Sequence, residues 1–479
     1  MEHLYQKLTK YSEEDYYPLH MPGHKRKPWG DLPAEYFRRD ITEIDGFDNL
    51  HQPEGILLAL QKRASELYGA SESFYLVNGS TGGILSAISA ALPKRGHLLM
   101  VRTCHKSVYH AAYLRELRLS YMYPDLLEEY DICDAISALH VRRALELYDD
   151  IGAVLIVSPT YEGRIADVAA IAGEVHKRGI PLIVDEAHGA HLGLSDLVCE
   201  NSCRLGADLV IHSTHKTLPA LTQTALLHVN GALIDRNLLR RFLHIYQTSS
   251  PSYLLMASID NALTQIEKDA DRIYLSFVNY YRAMTKELEK CKHIKIISES
   301  DNRQDKGKLL VTVKNTNITG KELYNILLEK YHLQPEMAGE SFVLLMFTIN
   351  DSFEGYERVK QALLEIDRDL KEKESGYAMN DMIPKTEATM SLAEAWDGVS
   401  EDILLAEADQ RIAAEFVNCY PPGIPILVPG EKINSDIIQK INDWIRLDLT
   451  VQGLNMTEKG PFIKVLVTKD GKSELDERM

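Results

Sequence analysis

The sequence predicts an α/β fold built on a mixed, mostly parallel sheet, followed by smaller α+β units. Three observations carry this. Short apolar runs, Leu98-Leu99-Met100-Val101, Ala153-Val154-Leu155-Ile156-Val157, Leu182-Ile183-Val184 and Leu209-Val210-Ile211, have the length of buried strands. Helical stretches such as 55–69 and 82–92 alternate with them, as parallel pairing requires. An acidic residue, Asp185, closes one run, and strand carboxyl ends are where ligands bind in open α/β sheets.

Around this unit the chain divides further. Residues 1–35 are polar, carry Pro, Gly and His, and read as an arm packed on something else. The large domain takes 36–258. A long, strongly charged helical pattern at 259–292 can bridge two domains. Strand-like 309–313 and 343–347, flanked by helical 320–330 and 354–371, complete a small α+β domain over 259–370. Residues 371–385 are a polar linker. The C-terminal unit, 386–479, holds Tyr420-Pro421-Pro422-Gly423-Ile424-Pro425 and Pro429-Gly430-Glu431, a rigid, turn-rich stretch, and ends in a charged, frayed tail.

Composition narrows the function classes. The 479 residues suffice for a real core, and their 45% hydrophobic and 26% charged content is that of a globular protein. A net charge of −17 argues against nucleic acid or an anionic membrane as partner. Six scattered cysteines fit reduced thiols, and no metal site is expected. The N-terminus lacks the apolar core of a signal peptide, and no apolar run spans a bilayer, so the cytoplasm is the expected location.

Four pieces carry chemistry. Asn78-Gly79-Ser80-Thr81-Gly82-Gly83 is a small, hydroxyl-rich loop between an apolar run and a helical one, able to offer N–H groups and hydroxyls to a phosphate. Alone, such a loop is more often a helix cap. His105, in Arg102-Thr103-Cys104-His105-Lys106-Ser107, can lie flat on an aromatic cofactor, although a lone histidine after a strand is usually only a surface or core residue. Asp185, in Asp185-Glu186-Ala187-His188-Gly189, needs a cationic partner if it is buried at a strand end, or else caps a helix. Lys216, in Ser213-Thr214-His215-Lys216, becomes nucleophilic if desolvated near a phosphate and is otherwise a solvated charge. Together they match pyridoxal phosphate (PLP), which needs a phosphate cradle, a carboxylate for its ring nitrogen, a stacking group and a Schiff-base lysine. One helix–strand unit would bring Asp185 and Lys216 to the same sheet edge.

The sequence also resembles the bacterial ornithine/lysine/arginine decarboxylase family of fold-type-I PLP enzymes, in its shorter branch. The resemblance rests on His20-Met21-Pro22-Gly23-His24-Lys25, Asp48-Asn49-Leu50-His51-Gln52-Pro53-Glu54-Gly55, Cys104-His105-Lys106-Ser107, Asp185-Glu186-Ala187-His188-Gly189, Ser213-Thr214-His215-Lys216 and the two Pro-Gly segments. It implies an aspartate-aminotransferase-like large domain with small and C-terminal α+β domains. It implies that Lys216 bonds the cofactor, Asp185 pairs with the pyridinium and His105 stacks on the ring. Ser80, Thr81, Gly82, Ser213 and His215 fall around the phosphate, and His188 beside the cofactor. Thr248, Ser249 and Ser250 are positions from which a neighbouring subunit reaches the phosphate.

The activity implied is α-decarboxylation of a basic amino acid, arginine to agmatine for polyamine synthesis before lysine or ornithine, with Lys216 or His215 returning a proton to Cα. Asp45, Asp48, Glu54 and Glu162 are candidates for the substrate's distal cation. Long family members carry an N-terminal wing domain. This chain begins close to the His-Met-Pro-Gly-His arm, so a homodimer or dimer of dimers is expected instead of a ring. Another PLP reaction, such as aminotransfer, and a non-catalytic regulator remain the alternatives.

Overall fold

The structure, a computed structural model, describes residues 2–298, 301–373 and 383–467. Most of the expected linker at 371–385 and the charged tail from 468 lie outside the described residues.

Seven strands form the central sheet: β1 (Glu72–Leu76), β2 (His97–Val101), β3 (Arg118–Met122), β4 (Ala153–Val157), β5 (Leu182–Asp185), β6 (Leu209–His212) and β7 (Ala225–Val229). Their spatial order is β1-β7-β6-β5-β4-β2-β3. The run from β6 to β3 is parallel, and β7 pairs antiparallel with both β6 and β1. Strands β2, β5, β6 and β7 are buried along their whole length. Each buried Val, Leu or Ile side chain contributes about 1.5–3 kcal/mol.

Helices α1 (Leu4–Glu13), α2 (Ile56–Tyr68), α3 (Gly79–Ala91), α4 (Lys106–Arg115) and α5 (Tyr253–Leu288) frame the sheet. The N-terminal arm is partly helical. Leu4 and Leu8 of α1 are fully buried, and the Leu4 N–H donates to Asp260 Oδ2 on α5 at 2.8 Å. Helix α3 crosses the sheet closely because Gly83 faces it. A Cβ there would lie 2.7 Å from Leu76 Cδ1 and 3.1 Å from Ile211 Cγ2.

The long helix α5 belongs to two cores. Its residues from Tyr253 to Tyr274 pack into the main core, and Phe277, Val278, Tyr281, Met284 and Leu288 into a second. The backbone breaks at Asp269 (φ −151°, ψ 35°), one to two turns before the helix passes from the first core to the second. The second core is covered by a four-stranded antiparallel sheet of β8 (Lys295–Ile296), β9 (Lys308–Thr312), β10 (Met337–Ala338) and β11 (Phe342–Met346), in the order β8-β9-β11-β10. A third core gathers Val417, Ile426, Leu427, Ile437, Ile441, Ile463 and Val465 of the C-terminal part.

One connection differs from the sequence expectation. The segment between β5 and β6, 186–208, is a string of turns and not a helix. Buried hydrogen bonds hold it instead: Ser202 N–H and Oγ–H both donate to Glu186. Among the described residues no helix is long and apolar enough to cross a membrane.

Candidate active site

The site forms at the carboxyl edge of the parallel strands. β5 ends on Asp185 and pairs in register with β6, Asp185 opposite Ile211. After β6, Ser213 leads into a single helical turn, Thr214–Thr217, which carries Lys216. Parallel neighbours end on the same side, so the carboxylate and the amine meet at one edge even without an intervening helix.

Lys216 and Asp185 line a cavity of about 600 Å³ together with Ser80, Thr81, His105, His188 and His215. That volume lies in the range of small-molecule sites. Residues 79–82, read from sequence as a loop, form the first turn of α3, whose Ser80 and Thr81 line the cavity at the positive end of the helix dipole, while Gly79 and Gly82 N–H donate to the Gln223 and Asn78 carbonyls. His105 N-caps α4: its Nδ1 accepts from Ser107 N–H at 3.2 Å and lies 2.8 Å from Ser107 Oγ, which fixes the ring plane. His215 Nδ1–H donates to the Thr224 carbonyl at 2.7 Å. Pro421, Pro422 and Ile424 roof the cavity from the C-terminal part.

Burial sets the charges. It pushes Asp185 up to about 6, against the pull of Lys216. It lowers Lys216, while Asp185 and Glu336 oppose that shift. It pushes His105 down to about 4, with Lys216 adding to the effect. A buried carboxylate that, among the described residues, is hydrogen-bonded only by Ala187 N–H is costly unless a cation meets it. The Ser213 hydroxyl is fully buried and unpartnered among the described residues. A protonated ring nitrogen would satisfy Asp185, and a phosphate at Ser80 and Thr81 would meet the α3 N-terminus, with Ser213 one step behind the lining, so the residues fit the cofactor inferred from sequence.

Several sequence candidates fall elsewhere. Gly82 is buried one step behind the lining, against the Asn78 side chain and the Tyr246 carbonyl. Thr248 and Ser249 sit on an exposed turn away from this chain's cavity, where the Thr248 carbonyl accepts from His51 Nε2–H at 2.8 Å. Asp48 caps a helix, outside this chain's cavity lining: its Oδ2 accepts from Gly55 and Leu57 N–H at 2.8 and 3.0 Å. Asp45 lines a separate surface cleft, and Glu54 is exposed with Gln52 as its partner. Glu162 lines a narrower apolar pocket that shares Thr103, Val157 and Tyr161 with the cavity.

The structure adds residues that sequence reading missed. Glu336 and Tyr420 line the cavity, and Tyr161 donates its hydroxyl to Glu336. Lys308, only 1% exposed, opens β9 and reaches His188. A lysine heading an otherwise apolar strand was the available signal for it.

With this geometry in place, comparison with known proteins is informative. The model of the Orn/Lys/Arg decarboxylase major domain matches residues 2–335, and that of the C-terminal domain matches 372–460. An arginine decarboxylase of Bacillus subtilis is 31% identical over 464 residues, covering 94% of this chain and 95% of that protein. An uncharacterized protein of the same organism, YaaO, is 30% identical over 98% of this chain and 99% of its own length. Among solved structures, the lysine decarboxylase LdcF of Francisella novicida superposes with a TM-score of 0.82 at 16% identity, over 97% of this chain and 81% of that one, a likeness of fold.

Proposed function

Because the chain belongs to the Orn/Lys/Arg decarboxylase family, we propose that it removes the α-carboxylate of a basic amino acid with the aid of PLP, with arginine, giving agmatine, as the substrate. The observation that carries this is the meeting of Lys216 and Asp185 in one cavity faced by the N-terminus of α3. The arginine decarboxylase name of the Bacillus subtilis relative supports arginine over lysine and ornithine.

Bound PLP supplies an electron sink for the pair left when CO₂ departs from Cα. The chain's own residues do the rest. Asp185 holds the ring nitrogen in its charged form from a buried position at the end of β5. His105, neutral and clamped by Ser107, presents a flat face to the ring. Ser80 and Thr81 on α3, with Ser213, Gly82 and His215 behind and beside them, hold the phosphate. Lys216 anchors the cofactor and returns a proton to Cα, whereas His215, expected from sequence as a second donor, is neutral with its one N–H held by the Thr224 carbonyl and presents a lone pair. Pro421, Pro422 and Ile424 keep water from the cavity. Glu336 and Glu162, at the cavity and its apolar extension, attract the substrate's distal cation.

A second subunit would complete the phosphate site through its own Thr248 and Ser249, so a homodimer or dimer of dimers in the cytoplasm, serving polyamine synthesis, belongs to the same reading. The test is CO₂ release from arginine, lysine and ornithine, each with and without added PLP. Cofactor-dependent agmatine formation supports the proposal. Release from lysine or ornithine alone reassigns the substrate, and release from none overturns it.

A further inference from the structure

From the cavity wall inward, three side chains form a relay. Lys308 Nζ lies 2.7 Å from His188 Nδ1, and His188 Nε2 lies 3.0 Å from Lys216 Nζ. His188 is 6% exposed and Lys308 1%. Lys308 comes from the small sheet, on β9, whereas His188 and Lys216 follow β5 and β6 of the large one. The fit is close. A Cβ on Gly163 (φ +97°) would lie 2.6 Å from Lys308 Cβ, and Lys308 Nζ stands 5.1 Å from the Tyr161 ring centroid.

A neutral imidazole has one N–H and one lone pair, and an ammonium can only donate. With both contacts made, one lysine must therefore accept a hydrogen bond from His188 and be uncharged. While Lys308 is an ammonium donating to Nδ1, the His188 proton sits on Nε2 and must be donated to the Lys216 lone pair. We propose that Lys308 is a positioning residue that sets the charge of Lys216 through the tautomer of His188. This assigns Lys308 a part in the chemistry although it lies behind the cavity lining.

The surroundings agree. Burial, with Lys308, Lys216, His105 and His215 around it, holds His188 neutral. Lys308 faces Asp305, Glu336 and Glu162 as well as Lys216. Lys216 faces Asp185, Glu336, His105 and His188. Burial pushes Lys308 down to about 8 while Asp305 opposes the shift, so Lys308 is charged at neutral pH.

The inference rests on Lys216 being the reactive lysine, and its test needs neither cofactor nor substrate. The apoenzyme is labelled with acetic anhydride from pH 6 to 11, and acetylation of the Lys216 peptide is followed by mass spectrometry. Lys308→Met removes the competing charge, so the Lys216 midpoint should rise by about one pH unit, the size of a near like-charge effect. An unchanged or lowered midpoint in a folded Lys308→Met protein overturns the inference. Lys308→Gln, which keeps an N–H donor to His188 Nδ1 without the charge, should keep the Lys216 midpoint closer to the wild type than Lys308→Met does, and an equal rise in both variants assigns the effect to charge alone and overturns the relay. If neither variant folds, the wild-type profile decides. Two coupled lysines give a curve broader than a single site, and a single-site curve at the ordinary lysine position overturns the relay. A failure here leaves PLP binding by the wild type untouched, whereas a wild type that never binds PLP overturns the cofactor reading instead.

Discussion

Arg102 and Glu431 form a fully buried ion pair, Nη2 to Oε2 at 3.1 Å, that ties the central sheet to the C-terminal part. Arg102 follows β2, and its guanidinium also donates to the carbonyls of Pro425 and Ile426 at 2.6 and 3.0 Å. Glu431 Oε2 further accepts from Val428 N–H at 2.9 Å. The Pro-Gly segments over the cavity are thereby held by a residue only three positions before His105.

Removing one partner of such a pair strands a charge. Glu431→Ala should destabilise the protein by about 3–5 kcal/mol, read as a shift of the denaturant midpoint. A loss below about 1 kcal/mol would mean that the pair is solvated.

Asp185 gives a pH signature. Burial lifts its folded-state value to about 6, above the unfolded value near about 4. The folded apoenzyme therefore binds this proton more tightly, and stability falls as pH rises from about 4 to about 6. Asp185→Asn should make the apoenzyme more stable at pH 7 by about 2–3 kcal/mol, with the difference gone near pH 4. The same change should lower decarboxylation about 100- to 1,000-fold. Thermal melts at the two pH values and initial rates check both.

His105 is held near 4 by burial and by Lys216, so it stays neutral through the working range. Its contribution is a flat surface. His105→Ala should weaken PLP affinity about tenfold, and His105→Phe much less, measured by absorbance titration of the apoenzyme. Equal losses in both would assign its role to capping α4.

Glu336 and Glu162 should act on substrate binding. Replacing either with Gln should raise KM for arginine about tenfold while kcat changes less, the value of one charge-assisted contact. Steady-state kinetics at fixed PLP separates the two effects.

Much of this was legible in the sequence. Strands β2, β4, β5 and β6 are continuous apolar runs buried from both faces, so position alone reveals them. Asp185, His105, Lys216, His188 and His215 follow such runs or their turns, and the parallel sheet gathers them. Strand β3, Arg-Leu-Ser-Tyr-Met, escaped notice because an edge strand with exposed positions lacks that run. Strand β7, Ala-Leu-Leu-His-Val, holds a histidine whose partner, His212, lies on a different strand. Lys308 and Glu336 were hidden for a related reason. Their hydrogen-bond partners, His188 and Tyr161, lie 120 and 175 positions away in the chain, and no local pattern marks a lysine that meets a histidine across two sheets. The capping role of Asp48 was hidden because a cap and a substrate ligand look alike until the N–H groups around it are seen.

The central claim is that Lys216 is the residue that holds PLP. Incubation of the protein with PLP, reduction with borohydride and peptide mapping tests it most directly. The account predicts the cofactor's added mass on the peptide containing Lys216, and its loss in Lys216→Ala together with decarboxylation. The mass on another lysine, or turnover surviving in Lys216→Ala, would contradict it.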